Sequence, residues 1–204
     1  MKGVLEKVLY LQRTSPTMNQ RTIVRSLTTR DGTLVAMNDG VIGWKPTEGR
    51  PTRTKLAAWP TVLLAVRGPM GPVDTAVIGT ADGEVHVLTL PRLEEVARFS
   101  LQSGSIRALC LVTEGRLHFL AGTQHGAVWS LEDGKQHRSQ LVFSIDGPVS
   151  SLHLEGDAVH VRSGWVHHVR SWDGQHHNIT NTSEAFNVKR FKRLDRSYVM
   201  PNPA

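Results

Sequence analysis

One short turn, repeated at even spacing, limits what this 204-residue chain can fold into more than any other feature. Its clearest copy is Gly79-Thr80-Ala81-Asp82-Gly83-Glu84-Val85-His86-Val87-Leu88, two alternating runs around Asp82-Gly83. Glycine enters positive φ without penalty and aspartate tolerates it better than most residues, so the pair reads as a β-hairpin turn. The motif recurs upstream at Asn38-Asp39-Gly40-Val41 and downstream at Gln124-His125-Gly126-Ala127. Gly40, Gly83 and Gly126 are spaced 43 residues apart, and a weaker copy at Gly164 follows 38 residues later. A period near forty with one hairpin per unit is the mark of a repeated four-stranded sheet.

The flanking text supplies the other strands. In the first unit, strands are expected over 22–27, 33–37, 41–45 and 52–58. In the second they fall at 62–66, 75–80, 84–90 and 94–101. Residues 94–101 could instead begin a helix, since Pro91 suits a first helical turn; the repeat register favours a strand. The third unit gives 106–112, 116–122, 127–131 and 140–145. The fourth gives 149–154, 158–162 and 165–172, with a weak outer strand at 178–181. Val62, Leu64, Val66, Val77, Ile106, Leu109, Leu111, Leu120, Val128 and Leu152 are the expected core.

Four units of this order resemble the WD-repeat and quinoprotein-like β-propeller families, in divergent form. The resemblance covers roughly residues 20–182 and rests on the period and on the hairpins at 79–83 and 122–126. Trp172-Asp173 stands where the family's name-giving dipeptide closes a blade; the other units lack it. The resemblance implies an all-β, β-propeller-like fold with four four-stranded blades. The chain divides into an N-terminal closing segment (1–20), four repeats (21–182) and a basic C-terminal segment (183–204), all in one domain. A ring needs closure, because open sheet edges invite pairing with other chains. Residues 7–12 and part of 185–200 are expected to form a fifth, composite blade; the alternative is completion by a second copy in a homodimer.

Chemistry is sparse. The chain carries no Gly-x-Ser-x-Gly elbow, no phosphate-binding Gly-x-x-x-x-Gly-Lys loop and no His-Glu-x-x-His. Asp39 and Asp82 occupy equivalent turns and read as turn formers, as do His125, Gly126 and Gly164. Ten histidines are present. Adjacent pairs such as His167-His168 and His176-His177 point to opposite faces of a strand, so each offers one ligand per face. No metal, cofactor or catalytic residue is therefore assigned. The one cysteine, Cys110, lies in an apolar run and reads as a small core residue in a protein of a reducing compartment. No signal peptide or spanning segment is legible, and a soluble, cytoplasmic protein is expected.

The net charge is +6. That balance fits either surplus surface Lys and Arg or an anionic partner. Cations concentrate at Lys189, Arg190, Lys192, Arg193 and Arg196, around Phe191. Cations with interleaved aromatics can bind a phosphate backbone and stack bases; a solvated outer strand has the same pattern. The expected function is a non-catalytic protein–protein interaction scaffold. The alternative is RNA or DNA binding through the basic C-terminal segment, and a central-pocket enzyme is a remote third.

Overall fold

The computed structural model describes residues 21–68, 71–113, 118–132 and 137–171. These form fifteen strands in four antiparallel sheets. The first sheet holds β1 (Ile23–Thr29), β2 (Gly32–Met37), β3 (Val41–Pro46) and β4 (Thr52–Lys55). The second holds β5 (Pro60–Arg67), β6 (Val73–Thr80), β7 (Glu84–Thr89) and β8 (Glu95–Ser100). The third holds β9 (Ile106–Thr113), β10 (His118–Thr123), β11 (Ala127–Glu132) and β12 (Arg138–Ser144). The fourth holds β13 (Ser151–Glu155), β14 (Ala158–Ser163) and β15 (Val166–Ser171). In every sheet, spatial order follows chain order. The strand expected at 178–181 and the composite blade from 7–12 and 185–200 lie outside the described residues.

The expected turns are present. Gly40, Gly83 and Gly126 have φ of +85°, +89° and +84°. Each glycine N–H donates back to a carbonyl three residues earlier, from Met37, Thr80 and Thr123. Each glycine carbonyl then accepts from the residue just past the sheet's fourth strand: Leu56, Leu101 and Ile145. The Asp39 carboxylate accepts from the Val41 amide, and the Thr80 hydroxyl donates to Asp82. The fourth turn is shorter. Ser163 pairs directly with Val166, leaving only Gly164 and Trp165 in the loop. Trp165, expected in a strand, is instead an exposed turn residue.

Three apolar layers hold the sheets together, one at each junction. Leu34, Ala36, Ile42 and Trp44 meet Ala76, Ile78 and Leu88 between the first two sheets. Val77, Val85, Val87 and Phe99 meet Ile106, Phe119, Ala121 and Leu131 at the next junction. Ala108, Leu120, Val128 and Val149 meet Leu152, Val159 and Val161 at the last. Neighbouring residues such as Val77 and Ile78, or Phe119 and Leu120, thus serve opposite layers, as the two-residue side-chain period requires. Strands covered on both faces read as continuous apolar runs for this reason.

The first strands of the sheets depart in part from the expected core. Val62, Leu64, Leu109 and Leu111 are half-buried, while Val66, Val77, Ile106, Leu120, Val128 and Leu152 are buried. β5 and β9 are inner edge strands, flanked by the first strands of neighbouring sheets; β6 and β7 carry the two-sided burial. Cys110 on β9 is also half-buried, and burial pushes its thiol pKa up.

A polar cluster spans β7 and β8. The buried His86 donates from Nδ1 to Glu95 Oε2 at 2.6 Å, and Arg98 Nε donates to Glu95 Oε1 at 3.1 Å. His86 Nε2 lies 3.3 Å from Glu84 Oε2 without hydrogen-bond geometry. Burial alone would raise the Glu95 pKa, but the hydrogen bonds from His86 and Arg98 outweigh it and hold the carboxyl below the usual glutamate range. A depressed folded-state pKa stabilises the fold above the ordinary glutamate value, and the contribution is lost as pH falls through the folded value. Glu95→Gln should therefore be less stable than the parent at neutral pH and converge with it in acid. Urea melts across that range give the test, and parallel curves for the two proteins would remove the role assigned to Glu95.

Candidate functional site

The first strands β1, β5, β9 and β13 lie side by side in chain order. Hydrogen bonds join the beginnings of β1, β5 and β9. Arg25 Nε donates to the Thr61 carbonyl at 2.8 Å. The Thr61 hydroxyl lies within hydrogen-bond distance of the Ile106 and Gly79 carbonyls, at 2.5 and 3.0 Å. The Ser150 hydroxyl, just before β13, donates to the Arg162 carbonyl at 2.9 Å.

Where these strand beginnings converge, a cavity of about 470 Å³ opens. Its lining draws on all four sheets: Val24 and Arg25, then Trp59, Pro60 and Thr61, then Arg107, then Ser150. The volume lies within the range of small-molecule and side-chain pockets. Among the described residues, no carboxylate lines it. Among the described residues, Arg25 donates only to backbone carbonyls, at Thr61 and Val24. Arg107 makes no hydrogen bond or ion pair to the described residues. Trp59 is 54% exposed at the cavity. Among the described residues the two guanidinium groups have no countercharge at the cavity, and they stand beside an accessible indole, an arrangement that can receive an anion. Guanidinium is planar, always charged and matched in shape to carboxylate and phosphate.

Of the residues singled out from the sequence, those within the described residues serve the turns or lie outside this lining. Asp39 pairs with Arg21 at 2.7 Å. Its pKa is lowered: desolvation opposes the shift, but the Val41 amide and Arg21 outweigh it. Asp82 and His125 occupy the corresponding turns, and the His125 ring packs against Gly104. Lys189, Arg190, Phe191, Lys192, Arg193 and Arg196 lie outside the described residues. His167 and His168 sit side by side on β15, alternating faces as expected. Burial, then the neighbouring charges of His160 and Arg162, pushes the His167 pKa down.

The cavity residues carry no signal in the sequence that would single them out. Arg25 precedes its turn glycine by 15 residues, Thr61 by 22 and Arg107 by 19. The first hairpin of each unit varies in length, so a register counted from the turns does not bring these positions together.

Comparison with known proteins yields the fold alone. No family model matches the chain, and no curated protein matches it. Among solved structures, the computationally designed Ika4 protein matches with TM-score 0.61 at 16% identity, over 75% of this chain and 92% of that one. The computationally designed Ika8 protein matches with TM-score 0.58 at 16% identity, over 76% of this chain. This chain spans about half of Ika8, 47% of its length. The molecule is an all-β protein of repeated, blade-like antiparallel sheets.

Proposed function

We propose that this chain is a β-propeller-like binding module of WD-repeat-like type. It acts as a non-catalytic scaffold and engages a protein partner at the cavity between its first strands. One observation carries the reading: four sheets of the same strand order contribute successive lining residues to one cavity whose cations lack a countercharge among the described residues. The occupant that suits it is an acidic side chain or carboxylate terminus of the partner. Thr61 and the strand beginnings hold the lining through hydrogen bonds across sheets, so the site is fixed before the partner arrives. Trp59 offers an apolar surface beside the charge, a combination enriched at the energetic centres of protein interfaces.

The test is affinity capture from native cells with the full chain, in nuclease-treated and untreated halves, beside Arg107→Glu. Arg107 is exposed, so the charge reversal leaves the core intact. The expected result is a protein partner retained after nuclease and weakened at least about tenfold, or 1.4 kcal/mol, by the reversal. Loss of the captured material on nuclease treatment would favour RNA or DNA binding through the basic segment at 189–196. Capture equal for both proteins would remove the cavity from the interface.

A further inference from the structure

The outer face of the fourth sheet carries a second constellation, and its face is fixed by the hairpin that builds it. β13 and β14 are joined by a two-residue loop, Gly156-Asp157, with Gly156 at φ +55°. A glycine with positive φ at the first central position is the pattern of a tight hairpin. The register places His153 directly opposite His160. Opposed residues share a face, and Glu155, two positions along from His153, shares it too. The other face of the same strands holds Leu152, Val159 and Val161 against the third sheet. The histidines and the glutamate are therefore turned away from the core.

The side chains converge. Glu155 Oε2 lies 3.7 Å from His153 Nε2 and 3.6 Å from His160 Nε2. One donor atom from each of the three falls within 4.8 Å of the others. The rings of His153 and His160 stack with centroids 4.6 Å apart. Behind them, His160 Nδ1 lies 3.2 Å from Nε2 of His167 on β15. His160 thus turns one nitrogen toward Glu155 and engages a neighbouring ring with the other. A metal-bound histidine is held in that way, its free nitrogen fixed by an outer partner.

We infer that His153, Glu155 and His160 form a binding site for a divalent transition metal of the zinc class, with His167 orienting His160. Donors at about 2.0–2.1 Å around a tetrahedral ion stand roughly 3.3–3.4 Å apart. The separations from Glu155 exceed that by only a few tenths of an ångström. His153 and Glu155 are mostly exposed, so small rotations close the gap without disturbing the core. Two imidazoles and one carboxylate select zinc, copper or nickel over magnesium and calcium, which prefer oxygen alone. Three protein ligands leave a fourth position to water or an incoming donor. A bound ion would clamp β13 to β14 across their shared hairpin.

The experiment is calorimetric titration of the chelator-stripped full chain with zinc, repeated with magnesium and with calcium. Variants are His153→Ala, Glu155→Gln and the control His125→Ala, an exposed histidine in the third sheet's turn. The expected result is one zinc per chain at micromolar affinity or better, with no magnesium or calcium response. His153→Ala and Glu155→Gln should each weaken zinc at least about tenfold, the lower end of what disturbing even an outer partner costs. Cobalt should give the visible absorption of a four-coordinate site in the parent and lose it in His153→Ala. The control should bind as the parent does. No zinc response, an equal magnesium response, or zinc affinity unchanged by both ligand variants would overturn the assignment. Both altered side chains are exposed, and circular dichroism of the variants checks that they fold.

Discussion

Phe119→Ala should be the most damaging single truncation, costing about 3–5 kcal/mol as the loss of a fully buried aromatic does. Phe119 has no exposed surface and sits at the centre of the layer between the second and third sheets. Its ring meets Phe99 edge-on, with centroids 5.8 Å apart and planes at 86°. Truncation removes that contact and opens a void in the buried layer that Phe119 shares with Val85, Val87, Ile106 and Leu131. For a domain of this size, the melting temperature should fall by roughly 10 °C. Phe119→Leu, which keeps most of the volume, should lose much less. A melting temperature within about 3 °C of the parent for the alanine variant would contradict the central place of this ring in the layer.

The second large effect belongs to Gly126. A Cβ built there would lie 2.0 Å from the Ile145 carbonyl oxygen and 2.8 Å from that of Gly147. Both are backbone atoms and cannot rotate away. The φ of +84° adds its own penalty for an L residue. Gly126→Ala should cost about 3 kcal/mol, the upper end of the range for a strained backbone position. Gly164 supplies the internal comparison. Its φ of +54° is also left-handed, but a Cβ there meets nothing within 4 Å. Gly164→Ala should cost only about 1–2 kcal/mol, the left-handed penalty alone. Chemical denaturation of both variants separates crowding from φ; equal losses would show that the close approach to Ile145 carries no energy.

These two glycines also show what the sequence can disclose. Turn chemistry is local: a few adjacent residues set φ, so Asp39-Gly40, Asp82-Gly83 and His125-Gly126 are legible at once. Layer assignment is legible wherever strict alternation applies, as at Val77 and Ile78. The half-burial of Leu64 and Leu109 is not, because it depends on which strand forms a sheet's inner edge, and an apolar run looks alike in either place. The cavity stays hidden for a related reason. Arg25, Thr61, Arg107 and Ser150 are not all of one type and stand at unequal distances from their turns, so no period relates them. The His153–Glu155–His160 group is legible in principle. Its hairpin loop is two residues long, and counting outward from Gly156-Asp157 pairs 155 with 158 and 153 with 160. Adjacent histidines catch the eye in a sequence but diverge on a strand; opposed ones stand apart in the sequence and meet in the sheet.

The three apolar layers have a consequence for how the molecule holds together. Each layer is shared by two consecutive sheets, so each sheet's burial depends on its immediate neighbours in the chain. Such a structure is coupled like links in series, with stability set by unit terms plus nearest-neighbour terms. A lesion in the layer of Leu34, Ile42 and Trp44 weakens one link and leaves the link of Leu120, Val149 and Leu152, two steps along, with its contacts whole. Interior sheets are clasped from both sides, while the first and fourth, within the described residues, are clasped through one layer each. A ligand that ties β13 to β14 would therefore act on a sheet that, among the described residues, a single layer holds, and there a modest local gain matters most.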